Sequence, residues 1–353
     1  MAMAHTIVGL EITEEGVRAA EVSTGRTPTL IASGSVPLPP GAAKDSEIYD
    51  ADAVALALRQ LWSRAGIRGR RVVLGLGSRR ILVREHTAPA MRPDLLRQAL
   101  PFQVQDLLPV PLEQAVLDFY PASQEGDQVT GLLVAAVAET VEQLIAAVSK
   151  AKLTVDVVDL APFGLARAVA RVCPPQEAVA AFHLGDHTSY VVVVEAGIPR
   201  FVRIIPVDIV TGAVRARELA ALAETAEEAP AAVEEVLETV PPSDGAPVRR
   251  LRSAARVARP VGMTDSAVVD LAGRLRSTLA FYADRSGGQP IRRVLISGAG
   301  AAAPGVAQAL AASLPVPVAQ LDVTRLVTGK RMPDGEDALN LVATVGLTLG
   351  ETR

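Results

Sequence analysis

The chain has 353 residues, 49% hydrophobic and 21% charged, which is too apolar for a disordered protein and long enough for two or more domains. Its formal net charge of −4 excludes a general attraction to nucleic acid or anionic lipid, so any such binding has to be local. A lone cysteine, Cys173, forms no internal disulfide or thiolate metal site and reads as a buried structural thiol.

The opening MAMAHTIVGLEI lacks the basic segment and continuous apolar stretch of a secretory signal, and no run of about 18 apolar residues occurs anywhere. Neither export by that route nor a membrane span is expected. Thr6 to Pro37 reads as a β-meander: an apolar strand, the polar turn EITEEG, the strand VRAAEV, a glycine turn and a third strand. Val54, Leu58, Leu61 and Trp62 then recur at helical spacing after Asp50 or Asp52 as cap, and RVVLGLG (71–77) reads as a buried strand.

From Ile81 the pattern becomes strand, helix (93–108), strand (115–120), strand (129–137), helix (139–150) and strand (155–159), a compact α+β insert. Pro101 interrupts its first helix and PVPLE (109–113) ends it. Phe163 to Val172 is expected as a helix returning the chain to the first domain.

A second meander follows at 181–207, AFHLGDHTSYVVVVEAGIPRFVRIIPV. Laid on the first without a gap, it places His183 on Glu11 and Gly197 on Gly25, at an offset of 172. Two meanders at one offset point to a duplicated domain whose halves face each other across a cleft lined by the polar turns. Residues 213–260 are alanine-rich, with an acidic half and a basic half (Arg249 to Arg259), expected as a helical subdomain whose arginines form a solvated face. A helix at 264–284, capped by Thr264 or Asp265, leads to the strand, glycine turn and helix of VLISGAGAAAPGVAQAL (294–310). Gly298 and Gly300 there let a ligand approach the backbone, although such a turn is often only a turn.

Taken together, duplicated meanders, an insert after the first and a late strand-GxG-helix resemble the actin, Hsp70 and sugar-kinase superfamily. Within it GLEITEEGVRAAEV (9–22), QALPFQVQDLLPVPLEQAVLDF (98–119) and VDVVDLAPFGLARA (155–168) resemble the PilM family of type IV pilus assembly proteins, itself similar to FtsA. The resemblance implies an α/β, actin-like (ribonuclease H-like) fold with a small α+β insert. It divides the chain into a first domain (1–80 and 160–177), the insert (81–159), a second domain (178–212 and 264–353) and a helical subdomain (213–263).

By the same resemblance a degenerate nucleotide cleft would be lined by Glu11, Thr13, Glu14, His183, Gly185, Asp186, Gly298 and Gly300. The family's first turn reads Asp-Ile-Gly-Ser where this chain has Glu11-Ile12-Thr13-Glu14, and Glu14 and Glu15 bring negative charge to the place of the phosphates. The second turn has His183 in place of a carboxylate that holds Mg2+ through water, with Asp186 as a partial substitute. No cofactor is required on this reading, and Mg-ATP binding is expected to be weak or lost. His183, Asp186 and His187 invite a metal reading, but residues four apart on a strand and its turn need not share a face, so polar turn residues are expected.

The function implied is a cytoplasmic scaffold, recruited to the inner face of the membrane, which docks the tail of a PilN-like partner near Leu107, Leu108, Val110 and Leu112; self-association is a further expectation. No catalytic residue is assigned. The alternative is an active ATPase or sugar kinase of the same superfamily.

Overall fold

The computed structural model describes residues 5–25, 27–45, 47–227, 260–286 and 289–350. The expected acidic stretch beyond 227 and the arginines at 249–259 lie outside the described residues.

The first meander is β1 (Thr6–Ile12), β2 (Gly16–Ser23) and β3 (Thr29–Pro37), antiparallel throughout. A small hairpin, β4 (Ala43–Lys44) and β5 (Glu47–Ile48), leads to α1 (Ala51–Ala65) and β6 (Arg71–Leu76). Asp50 caps α1 by accepting from the Asp52 and Ala53 amides at 3.0 and 2.9 Å, which satisfies two of the donors left free at a helix start. The apolar stripe of α1 faces the sheet as its spacing requires.

Next come β7 (Leu82–Pro89), α2 (Pro93–Val104), β8 (Ala115–Glu125) and β9 (Gln128–Val137). They build a separate three-stranded sheet, ordered β7-β9-β8, with a small core of Leu100, Val104 and Leu133. Pro101 lies inside α2, which stops at Val104 and tightens into a 3-10 turn, Gln105–Leu107, so the expected helix to 108 is four residues shorter as α-helix.

The helix α3 (Ala138–Lys150) and strand β10 (Thr154–Leu160) differ from the expected insert at 81–159. β10 hydrogen-bonds in parallel to β6 and completes a six-stranded sheet ordered β10-β6-β1-β2-β3-β16, where β16 is Thr328–Gly329. The buried side of α3, Val141, Leu144, Ala147 and Val148, packs with α1 over that same sheet. A parallel partner takes the chain back to the first sheet before 159, so the separate sheet spans only Leu82 to Val137.

After α4 (Ala161–Val172) the second meander is β11 (Ala178–His183), β12 (Thr188–Glu195) and β13 (Ile198–Pro206), and β12 begins at the same offset from β2 that the sequence shows. The helices α5 (Gly212–Glu227) and α6 (Asp265–Ser286), β14 (Ile291–Ser297), α7 (Val306–Ser313) and β15 (Val318–Gln320) follow, giving a five-stranded sheet ordered β13-β12-β11-β14-β15. Thr264 caps α6, accepting from the Ala267 amide at 3.3 Å. The unbroken valines 191–194 reflect burial on both faces of this sheet, Val191 and Val193 under α6 and α7, Val192 and Val194 toward α4.

Two short helices, α8 (Gly335–Asn340) and α9 (Val342–Thr348), end the described chain. The last helix, α9, lies on β1 and β2 of the first sheet, whereas α4 lies against β12 of the second, and the two helices pack on each other. Residues 161–172 therefore do more than return the chain to the first half. They meet α9 backbone to backbone: a Cβ on Gly346 would stand 1.9 Å from the Gly164 carbonyl oxygen. The layers run α1 and α3, first sheet, α9 and α4, second sheet, α6 and α7.

Candidate functional site

The register of each meander sets which side chains face each other. Glu11 on β1 stands opposite Arg18 on β2, and His183 on β11 stands opposite Tyr190 on β12. These are equivalent positions of the two halves. The first pair is a buried two-point ion pair, Arg18 Nη2 to Glu11 Oε2 at 3.2 Å and Nε to Oε1 at 3.4 Å; the second is a ring stack, with centroids 4.8 Å apart and planes 8° from parallel. Arg18 Nη1 also donates to Asn340 Oδ1 at 3.0 Å and Thr344 donates its hydroxyl proton to Glu11, so α8 and α9 hold both partners in place. Burial works against the Glu11 carboxylate, but the Arg18 charge and these hydrogen bonds outweigh it and hold the carboxyl below its usual range.

His183 is 1% exposed and Nδ1 lies 3.3 Å from Ser297 Oγ. Burial, and then the nearby Arg18 charge, push it down to about 3 against the pull of Glu11, so the ring is neutral at physiological pH. Asp186 is pushed up to about 6, chiefly by burial and also by the Glu15 charge, although Thr211 donates to it.

The polar turns themselves meet. Thr13 closes the first turn, its amide donating to the Gly16 carbonyl at 2.9 Å and its hydroxyl at 3.1 Å. Gly185 closes the second, where a Cβ would stand 2.3 Å from the Thr188 carbonyl oxygen. The equivalent residues Glu15 and His187 then join across the cleft, Oε1 to Nε2 at 2.6 Å, and His187 Nδ1 lies 2.7 Å from Asp208 Oδ1. From α5, Arg217 reaches over to Glu15 Oε2 at 2.7 Å and donates to the Glu14 carbonyl at 3.0 Å. The second half thus grips a carboxylate of the first at two points, and the space left between the turns is about 50 Å³, against roughly 300–1,000 Å³ for a small-molecule pocket.

A larger cavity, about 520 Å³, opens beside the turns between the β3 end (Val36 to Pro40) and the Ala213, Ala216 and Ala220 side of α5, with Arg18, Asp186 and Arg217 at its inner end. Gly298 and Gly300 line neither space. Their amides donate to the Leu339 and Leu184 carbonyls at 2.9 and 2.8 Å, and a Cβ on Gly298 would stand 2.4 Å from the Leu184 carbonyl oxygen. The late glycine turn is spent on close packing, and these two amides are not free to cradle an anion.

The ligand atoms of Glu14, Glu15 and His187 lie within 4.8 Å of one another. His187, however, is pushed up to about 9 by the Glu15 hydrogen bond first, with Asp208 and Glu14 adding and burial opposing, so at neutral pH the ring holds a proton that a metal would have to displace. His183 stands apart on its stack. The same ion pairs make a prediction. A histidine whose folded pKa lies above its unfolded value of about 6.5 stabilises fully below that pH and loses the contribution as pH rises through about 9. Urea unfolding of the wild type should weaken from about pH 7 to about pH 10 more steeply than that of His187→Gln; equal slopes would refute the pairing.

Of the residues expected to hold a partner, Leu107 and Leu108 are half-buried and pack on the core of the three-stranded sheet, while Val110 and Leu112 are half-buried in the segment that follows. The exposed apolar groups beside them are Leu95 and Phe102 on α2 and Val116 on β8, with Phe102 78% exposed. Phe102 lies two residues from both Leu100 and Val104, the spacing that turns it away from the face they bury.

The family model for the type IV pilus assembly protein PilM matches residues 9–203, which is more than half of the chain. The chain belongs to the PilM family. Its fold is similar to that of a solved PilM-PilN type IV pilus biogenesis complex, at a TM-score of 0.76 and 24% identity over 98% of each chain. It is also similar to the ethanolamine utilization protein EutJ from Carboxydothermus hydrogenoformans, at 0.50 and 14%, over 98% of this chain and 89% of that one. With these neighbours, the crossed α4 and α9 between two meander-based sheets constitute the actin-like fold. Membership in the PilM family supports a scaffold role in type IV pilus assembly. Arg18, Thr344, Asn340 and Arg217 were not among the site residues read from sequence; only Arg18 had a local signal, its position opposite Glu11 once the hairpin is drawn.

Proposed function

We propose that this chain is a type IV pilus scaffold that docks the cytoplasmic tail of a PilN-like inner-membrane protein, and that its interlobe cleft is held by internal ion pairs in place of nucleotide. The observation that carries this reading is the Glu15 carboxylate of the first half held twice by the second, by His187 at 2.6 Å and Arg217 at 2.7 Å. A phosphate entering there would have to separate these pairs and approach Glu14 and Glu15, so its binding carries an electrostatic cost. No helix among the described residues is long and apolar enough to cross a membrane, and on this proposal the partner's tail brings the chain to the inner face of the membrane.

The docking surface proposed is the segment Leu107 to Leu112 extended by Phe102, whose exposed ring is the kind of anchor that dominates an interface. Titration of the purified chain with the tail peptide of the PilN-like protein from the same source should give saturable binding. Phe102→Ala should weaken it by about 30-fold, the equivalent of roughly 2 kcal/mol for a central anchor. Wild-type binding that survives this change unaltered moves the partner elsewhere.

The 520 Å³ cavity beside the turns favours a second reading, a retained small-molecule site or enzyme. Thermal unfolding with and without Mg-ATP separates the two. Nucleotide at 100 times its dissociation constant should add about 2.7 kcal/mol if it binds. No shift at millimolar nucleotide is expected; a clear one, with phosphate release above background, restores the ATPase or sugar kinase.

A further inference from the structure

A second surface lies far from the cleft, on the outer layer of the first sheet. The end of α1 and the turn between α3 and β10 enclose a groove of about 550 Å³. Its floor is apolar and already packed: Leu58, Trp62, Ile67 and Leu153 are all less than 9% exposed. Its rim carries Arg59, Arg70 and Lys152, and among the described residues no acidic one lines it. The turn that presents Lys152 holds it in the left-handed region, at φ 62°, a conformation that a residue with a Cβ adopts at some cost.

The neighbouring acids are engaged elsewhere. Asp52 pairs with Lys150, Asp156 with Arg71, and Glu21 accepts from the Arg68 amide and the Thr6 hydroxyl. Arg59 donates only to the Lys150 carbonyl, and Arg64, Arg68, Arg70 and Lys152 have no ion-pair partner among the described residues. Three exposed cations thus line one groove with an apolar floor, on a chain whose net charge is −4.

We propose that this groove docks an acidic, apolar peptide segment of a partner protein, its carboxylates on Arg59, Arg70 and Lys152 and its hydrophobic side chains against the Trp62 edge and the aliphatic stems of those cations. A peptide fits better than a membrane because the apolar groups are recessed below the cations and cannot insert into a bilayer, whereas a segment laid in the groove reaches both. Charge on the rim steers and orients the segment, and the exposed stems of the rim cations supply most of the area it covers.

Trp62 is the one tryptophan of the chain, so its emission reports the groove directly. The full chain is titrated with a panel of dodecapeptides combining glutamate with leucine and phenylalanine, and with the matching lysine peptides. Saturable change in Trp62 emission with the acidic peptides alone is expected. It should weaken on going from about 0.1 M to about 1 M salt, as the screening length falls from about 10 Å to about 3 Å. The triple variant Arg59→Glu, Arg70→Glu, Lys152→Glu should lose at least about tenfold in affinity with an unchanged melting temperature, because all three side chains are solvent-exposed. The charge-matched control Arg84→Glu, Arg97→Glu, Arg276→Glu should bind like wild type. No emission change with any acidic peptide, equal response to the lysine peptides, or equal loss in the control overturns the proposal. So does binding to vesicles rich in phosphatidylserine that the triple variant alone loses while peptides fail to bind, which assigns the cations to lipid.

Discussion

Replacing Arg18 with methionine is expected to destabilise the chain by about 3–5 kcal/mol, the usual cost of leaving one member of a buried ion pair without its partner. Arg18 and Glu11 have side chains 9% and 4% exposed, and the guanidinium is the strongest of the groups that offset the burial of the carboxylate. Without it, Glu11 keeps the Thr344 hydrogen bond and has to take up a proton or draw in water. The urea midpoint should therefore fall and the loss should shrink at low pH, where the unpaired carboxyl is neutral. Adding Glu11→Gln to the same variant should recover most of the stability, since replacing both charges removes the desolvation problem. A double variant as weak as Arg18→Met alone would show that Arg18 acts through Asn340 or packing.

The second large effect is expected at the helix crossing. Gly346→Ala puts a methyl group 1.9 Å from the Gly164 carbonyl oxygen and 2.5 Å from its carbon, a collision with backbone that no rotamer relieves. The helices α4 and α9 would have to separate, loosening the core around Leu165, Val169, Val342 and Val345. A loss at or above about 3 kcal/mol is expected, the upper end for overpacking. Gly273→Ala on α6 is the comparison, because nothing lies within 4 Å of its added methyl, and alanine is about 1 kcal/mol better than glycine inside a helix. Calorimetric unfolding that lowers the melting temperature equally in both variants would remove the crossing from the account.

Much of the framework is legible along the chain. The alternation and turns of the two meanders, the offset that joins them and the Asp50 cap are local patterns, each satisfied within a few residues. The valines at 191–194 fit their strand for the same reason. The C-terminal helices were not legible, because α8 and α9 are short and α9 is buried all round, leaving no polar face to mark a period. The boundary of the insert failed for a different reason: 154–160 reads as a strand, but only its hydrogen bonds to β6 assign it to a sheet. The groove beside Trp62 had a visible trace in Arg59 and Arg70, yet the turn that adds Lys152 comes from far along the chain.

At the candidate site the sequence by itself determined that Glu11, Glu15, His183 and His187 occupy equivalent places on two turns, and that the first turn carries Thr13, Glu14 and Glu15. Only the tertiary structure decided what these residues touch. Glu11 takes its proton donor from Thr344, 333 residues away, and Glu15 takes its cations from His187 and Arg217 in the other half. A strand's period states which side chains share a face. Which charge lies opposite across a cleft depends on how two sheets are set by α4 and α9, and that is fixed by backbone contact between glycines whose sequence signal is only the absence of a side chain.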